Sequence, residues 1–300
     1  MARVLIAMVV VGLAAAYAPR ALRTCSLSRR AAATATEQSA PIATVSTLWR
    51  YPIKGFPPDG LSRVTVAENG TFPNDRQWAV ADVSCDEFDA AAPKWVHKRH
   101  FHGAFRSGPA LALLNTSFTN GRLRFFGPES GVADLGTPSG RALVEDVIGS
   151  RVGAKVKLCT GGEAHQFGNT QSGVRHHNDT RTIHLVNAAS VRAVAAATGL
   201  PVAAAVFRPN VVLEGIAAWE EESWIGKTLR VGGSQLEIIS RTVRCDAINN
   251  NPLTGERWPD GRDLVTEIAE RFPAIGPYLG VYARVVSGGA LALGDAAAFA

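Results

Sequence analysis

Cysteine is scarce in this 300-residue chain: Cys25, Cys85, Cys159 and Cys245 are all there are. None stands in a Cys-x-x-Cys pair, which excludes the usual zinc and iron–sulfur spacings. Cys25 falls in an N-terminal leader, and the three that remain cannot all pair, which suits a reducing interior. No Gly-rich nucleotide fingerprint stands between a strand and a helix, so no dinucleotide site is written into the chain. Long hydrophobic runs are missing too. Residues 4–18 form the longest, 15 residues, short for a membrane span. Internal repeats are absent, as is low complexity outside the leader.

An excess of one charge is lacking once position is considered. The net charge is +5, but residues 1–43 hold Arg3, Arg20, Arg23, Arg29 and Arg30 against Glu37 alone. The remainder carries 26 basic and 25 acidic residues, a net of +1. That near-neutral body gives no argument for a nucleic acid or an anionic membrane as partner. Composition is otherwise globular, 46% hydrophobic and 19% charged, with 29 glycines and 16 prolines. A chain of this length suggests about two domains.

The first 43 residues read as a targeting leader. An apolar run after Arg3 ends in small residues, and a stretch rich in Ala, Ser, Thr and Arg follows. The join Ala14-Ala15-Ala16-Tyr17-Ala18-Pro19 resembles the junction of bipartite plastid leaders, so the expected destination is a plastid. The secretory pathway and the mitochondrion are the alternatives. No membrane span is expected in the mature chain.

From Thr44 the pattern changes to short strands between turns. Val45, Thr47 and Trp49 alternate with polar positions. Residues 61–66, 77–83, 110–114 and 123–126 are further strand candidates, and residues 141–148 a helix. Lys54 sits on a Pro/Gly turn and Arg76 at a strand start. Either could be a solvated surface charge, or an anion ligand: arginine offers a fork to phosphate, lysine a mobile point charge. The basic and aromatic run Pro93-Lys94-Trp95-Val96-His97-Lys98-Arg99-His100-Phe101-His102 reads as a strand edge near the site. Its histidines follow no metal-ligand spacing.

In the second half, residues 183–186 read as a buried strand. Asn187 caps a helix that Gly199 and Pro201 stop. Arg208 precedes a strand and is fixed by Pro209. Asp263 caps a second helix, and residues 281–293 read as a closing hairpin. Between them, a strand carries Arg241-Thr242-Val243-Arg244-Cys245 into the turn-rich Asn250-Asn251-Pro252-Leu253-Thr254-Gly255. Cys245 therefore stands where a strand runs out, with Arg241 and Arg244 close by. Cationic neighbours stabilise a thiolate, the form that ligates metals and attacks electrophiles. The alternative is a small buried hydrophobe, as many free cysteines are.

These residues resemble the MOSC superfamily, named for the C-terminal domain of molybdenum-cofactor sulfurases. Its marks here are Phe207-Arg208-Pro209-Asn210, Trp224-Ile225-Gly226, Arg244-Cys245, the Asn250 to Gly255 turn, Gly280-Val281-Tyr282 and the closing Gly288-Gly289-Ala290-Leu291. The first half resembles the N-terminal β-barrel of the amidoxime-reducing family at Tyr51-Pro52-Ile53-Lys54 and Asp75-Arg76. The resemblance implies a mainly β chain with a few helices. A MOSC-like β-barrel would occupy residues 44–150 and a MOSC β-barrel domain residues 151–300.

It also implies a molybdenum cofactor, a pterin dithiolene with a terminal phosphate whose metal takes one protein cysteine. Cys245 matches that cysteine, as metal ligand and catalytic residue. Lys54, Arg76 and Arg208 match positions that hold the anionic end of the cofactor. Asn210 and Tyr282 match further pocket positions, and Thr180 falls in a segment that lines the cofactor in those relatives. Two departures stand out: the reductases have serines where this chain has Gly55 and Val243. Each change removes a hydroxyl donor worth about 0.5–1.5 kcal/mol as a net hydrogen bond.

The activity the resemblance implies is two-electron reduction of N-hydroxylated or N-oxygenated small molecules. Without a cluster or nucleotide motif, electrons would come from a partner of the ferredoxin or cytochrome b5 type. Two alternatives use the same residues: sulfur transfer through a persulfide on Cys245, or a carrier that binds the cofactor without turnover.

Overall fold

The computed structural model describes residues 39–163, 165–168 and 181–300. Most of the proposed leader lies outside the described residues. Its last five residues, 39–43, are described, and Ala43 opens the first strand.

The first half contains β1 (Ala43–Arg50), β2 (Asp59–Leu61), β3 (Arg63–Val66), β4 (Trp78–Asp82), β5 (Phe101–His102), α1 (Gly108–Ala112), β6 (Thr116–Thr119), β7 (Arg122–Phe125), β8 (Gly131–Asp134), α2 (Pro138–Val152) and β9 (Val156–Thr160). The second contains β10 (Ile183–Asn187), α3 (Ala188–Thr198), α4 (Ala204–Phe207), β11 (Val211–Glu214), β12 (Thr228–Val231), β13 (Ser234–Val243), α5 (Leu264–Arg271), β14 (Tyr278–Ser287), β15 (Gly289–Ala292) and β16 (Ala296–Phe299). Mainly β with a few helices describes it, as the sequence implies.

Seven strands close a barrel in the order β11-β10-β14-β13-β12-β16-β1, and β1 pairs back onto β11. Six come from the second half. The seventh, β1, comes from the far N-terminal side of the chain. Its alternation buries Ala43, Val45 and Leu48, and the register slips between Val45 and Thr47 where it meets β11. β3 likewise leaves the first half to pair with β15. β1 and β3 thus pair with strands of the second half, while Ile53 and Phe56 between them pack in the core of the first half. A closed barrel has no free edge to protect, and its interior holds Leu229, Leu236, Ile238, Val281 and Val285, all fully buried.

β10 and β11 are the parallel pair, and a parallel pair needs a crossover. α3 supplies it. The Asn187 side chain caps α3 by accepting the Ala189 N–H, and Gly199 ends it in the left-handed conformation. α5 begins at Asp263, whose carboxylate accepts two backbone N–H groups.

The first half keeps two three-stranded antiparallel sheets, β5-β4-β9 and β6-β7-β8, around a separate core that includes Phe118, Leu123, Phe125, Val144 and Ile148. The helix expected at 141–148 runs from Pro138 to Val152, with Thr137 as cap and Pro138 in its first turn. Two expectations fail. Residues 110–114 form no strand: Pro109 stands in the first turn of α1 and its fixed φ favours a helical start. The closing hairpin does not form either. β14 pairs with β10 and β13, and β15 turns away to β3.

Candidate functional site

Where the two halves meet, one cleft is lined by Lys54, Arg76, Arg208, Asn210, Cys245 and Tyr282 together. These were six separate expectations from distant parts of the chain. Lys98, His184, Thr242 and Arg244 join them. Five of these side chains are cationic, and no carboxylate lines the cleft among the described residues. Thr180, the seventh expected residue, lies outside the described residues.

Each cation is placed by its own local device. Lys54 follows β1 in a turn whose backbone bonds the start of β4, Lys54 N–H to Trp78 O at 2.8 Å. Its ammonium reaches across to the Phe167 carbonyl at 2.9 Å. Arg76 sits in a tight turn at φ 51°. The carboxylate of the buried Asp75 accepts the Tyr51 N–H at 2.9 Å and the Arg76 guanidinium at 2.5 Å. Gln166 donates to the same carboxylate at 3.0 Å. Arg76 also donates to the Arg208 carbonyl at 2.9 Å. Arg208 closes α4 at φ 56°. Left-handed backbone is uncommon for a residue with a Cβ and costs on the order of 1–3 kcal/mol. Arg76 and Arg208 both hold it.

The Tyr51 ring joins them. The Arg76 guanidinium lies 4.5 Å from its centroid and that of Arg208 4.3 Å, so one aromatic face system stabilises two cations that repel each other. Sequence reasoning used Tyr51 only as part of a motif. An aromatic residue just before the Pro-x-Lys turn, completely buried, was the missed signal.

Burial and neighbouring charge set the proton affinities. Burial first, then the charges of Arg76, Arg208 and Lys98, lower the Lys54 ammonium to about 7. Arg208 is pushed down to about 10, again by burial first. His184 is held well below its usual range by burial, then by Arg244 and Arg76. Its ring lies 5.2 Å from the Tyr282 ring, tilted by 46°. Gly280 makes room for it: a Cβ there would stand 2.8 Å from His184 Nε2 and 2.6 Å from the Leu185 carbonyl.

Cys245 follows β13 and is half-buried. Burial by itself would raise its thiol. A hydrogen bond and charge from Lys98, the Ala247 N–H and the Arg244 charge outweigh that and bring it below the ordinary value. Arg244 is anchored by the Phe207 carbonyl at 3.0 Å. Arg241, expected beside the thiolate, is elsewhere: it pairs with Glu222 and lies 4.0 Å over the Tyr278 ring. The register slip between Arg241 and Val243 redirects it. Lys98 takes the place the sequence reading gave to Arg241. The reading put that basic run at a strand edge near the site, and β5 is such an edge, but it assigned Lys98 no role.

Two residues act as braces more than as ligands. Asn210 spends its side chain on the Trp49 carbonyl at 3.1 Å, the His184 N–H at 3.1 Å and Arg76 at 3.4 Å. Asn250 holds the Ala104 carbonyl at 2.8 Å and so ties the Cys245 loop to the first half. Free hydrogen-bonding capacity remains on Arg208 Nη2, Arg244 Nε and Thr242 Oγ1, all buried and without a partner among the described residues.

The two missing serines have distinct explanations. Gly55 has φ +87°, and a Cβ on it would stand 2.2 Å from the Gly103 Cα. The Gly103 backbone occupies the space a serine would need. At Val243 the side chain that lines the cleft is apolar, and Thr242 beside it, whose hydroxyl is buried, also lines the cleft.

The family model for the MOSC N-terminal beta barrel domain matches residues 42–139, and that for the MOSC domain matches residues 172–298. Proteins named molybdenum cofactor sulfurase are 30% identical over 115 residues in Drosophila persimilis and 30% over 95 residues in Drosophila yakuba. The matches cover 37% and 32% of this chain, but only 14% and 12% of those relatives' length. Among solved structures, the YuaD protein of Bacillus subtilis shares 13% identity at a TM-score of 0.42, covering 85% of this chain and 93% of that one. YiiM of Geobacillus stearothermophilus shares 18% at 0.31, covering 39% and 53%.

Proposed function

The chain belongs to the MOSC superfamily, its N-terminal barrel domain followed by the MOSC domain, and from this premise we propose that it is a molybdenum-cofactor-binding oxidoreductase. It reduces N-hydroxylated or N-oxygenated small molecules with electrons from a protein partner of the ferredoxin or cytochrome b5 type.

One observation carries the reading: five cations and a stabilised thiolate line a single cleft that no described carboxylate enters. Such a site fits a ligand with several negative charges and one soft metal. The buried donors left over on Arg208, Arg244 and Thr242 fit it too, since an unpaired buried donor costs about 1–3 kcal/mol. Cys245 would hold the metal. Arg76 and Arg208, braced on Tyr51, would hold the phosphate with Lys54 beside them. Arg244 and Tyr282 would line the way between. When bound, the cofactor supplies a two-electron couple that no side chain here has.

The test is molybdenum and pterin content of the chain made in a host that synthesises the cofactor, beside Cys245→Ala. Near-stoichiometric metal in the parent, with pterin kept and metal lost in the variant, supports the reading. A reductase assay with an artificial electron donor then separates an enzyme from a carrier. No metal in either protein overturns the reading, and a persulfide mass on Cys245 would then indicate sulfur transfer.

A further inference from the structure

We propose that Lys98 and Phe105, carried on one loop of the first half, form the substrate-facing wall of the cleft and select small molecules that bear an anionic group beside a flat apolar body. The proposal deepens the cofactor reading and rests on it for the word substrate.

The cleft has two groups of cations. Arg76 and Arg208 share the Tyr51 ring and are bound to each other through the Arg208 carbonyl. Lys98 stands with Cys245. Lys54 lines the same cleft and feels the charges of both groups. A phosphate on the first group leaves Lys98 as the cation beside the reacting end. Lys98 stands in no ion pair among the described residues; what it meets is the Cys245 sulfur and the Phe105 ring. Asp246, the carboxylate that feels its charge, is paired with Arg257 at 2.7 Å.

Phe105 supplies the flat surface. Its ring lines the cleft, is 38% exposed, and lies 4.4 Å from the Lys98 ammonium. Ala104, Val243 and Ala247 continue the apolar lining beside Cys245. A ring of a bound molecule placed against Phe105 brings its anionic substituent to Lys98, a geometry in which stacking and charge add.

The loop that carries the pair is held like part of the scaffold. His102 is buried, with Nε2 2.8 Å from the Asp82 carboxylate and Nδ1 2.8 Å from the Ser107 hydroxyl. Ser107 N–H donates to the Gly103 carbonyl at 2.8 Å. Gly103 presses on Gly55, and Asn250 holds Ala104 from the barrel side. The Ser–His–Asp arrangement is a clamp on the loop. His102 and Ser107 are absent from the cleft lining.

The test uses the full chain made without the cofactor, so that Cys245 is free, and reads alkylation of the Cys245 peptide by mass spectrometry. Iodoacetate and iodoacetamide both need the thiolate, so their rate ratio cancels any change in thiolate fraction and reports the charge met by the reagent. Lys98→Met should lower the iodoacetate-to-iodoacetamide ratio roughly fivefold, the value of one charge at about 4 Å in water-like surroundings. Lys98→Arg should restore it. N-phenylmaleimide against N-methylmaleimide reads the flat surface in the same way, and Phe105→Ala should lower that ratio. An unchanged charge ratio in a folded Lys98→Met protein, or an unchanged phenyl ratio in Phe105→Ala, overturns the proposal. Molybdenum content of the parent, measured separately, tells whether the cofactor reading has failed instead.

Discussion

The two halves of the molecule reach the cleft by different means. The barrel presents Cys245, His184 and Tyr282 on or at the ends of paired strands, where the ladder fixes the backbone. The first half presents Lys54, Arg76 and Lys98 from turns and a short loop, outside any strand. Their places are set by side-chain ties: Asp75 and Gln166 for Arg76, Asp82, His102 and Ser107 for the Lys98 loop. Strand-borne residues share one cooperative structure, so a local change spreads. Turn-borne residues can be loosened one at a time. The metal side of the proposed site is therefore built on the barrel and the substrate wall on the first half, while the anion clamp draws on both, Arg208 from the end of α4 and Arg76 from its turn.

The largest effect is expected where a tie of the first half is buried as deeply as the barrel core. Asp75 is 2% exposed and accepts from Tyr51, Arg76 and Gln166. Asp75→Ala removes a carboxylate and leaves the Arg76 charge uncompensated, a loss of about 3–5 kcal/mol. Urea unfolding should show it. A loss below about 1 kcal/mol would mean that Arg76 simply turns to water, and that the clamp is far looser than its geometry.

Second in size is a pH effect confined to the clamp. In the free cleft Lys54 loses its proton around pH 7 because burial and three neighbouring cations disfavour the charge. An anion binds the protonated form better, so binding takes up a proton. Affinity for sulfate, whose own charge is constant, should be full below pH 7 and fall by up to about tenfold per pH unit above it. Titration calorimetry between pH 6 and 9 reads this, and Lys54→Met should flatten the profile. A flat profile in the parent would remove Lys54 from the clamp.

Smaller again is the tie between the halves. Asn250→Ala frees the Ala104 carbonyl, a loss of about 1–3 kcal/mol. Limited proteolysis should then cut within residues 103–107 faster, while the barrel resists as before. Equal protection would show that the Gly55–Gly103 packing alone holds the loop.

Much of this comparison was legible in the sequence, and unevenly so. Cys245, Arg208, Lys54 and Arg76 were named through the resemblance to the MOSC superfamily; turn chemistry placed them at strand ends and turns but left surface charge or a buried thiol as open alternatives. Helix caps at Asn187 and Asp263 were readable from local chemistry. β1 was not. Its alternation marks a strand but says nothing of which strand it pairs with: it falls within the stretch matched to the N-terminal barrel domain, yet pairs with β11 and β16. Lys98 was invisible because a lysine in a basic, aromatic run looks like a solvated charge. Only a fold that brings residues 98 and 245 together distinguishes it.

The smallest effect is the sharpest test of that last point. Arg241 and Arg244 stand three residues apart, and counting along β13 makes both neighbours of Cys245. The register slip sends Arg241 to Glu222 and the Ile275 carbonyl, while Arg244 remains among the charges that favour the thiolate. Arg241→Gln should therefore leave the pH midpoint of Cys245 alkylation by iodoacetamide where it is, at some cost in stability from the unpaired Glu222. Arg244→Gln should raise that midpoint, because a cation that favours the thiolate is gone. Equal shifts in the two variants would mean that charge acts here by proximity in sequence. A shift in Arg244→Gln alone would show that a one-residue irregularity in a strand decides which arginine serves the site.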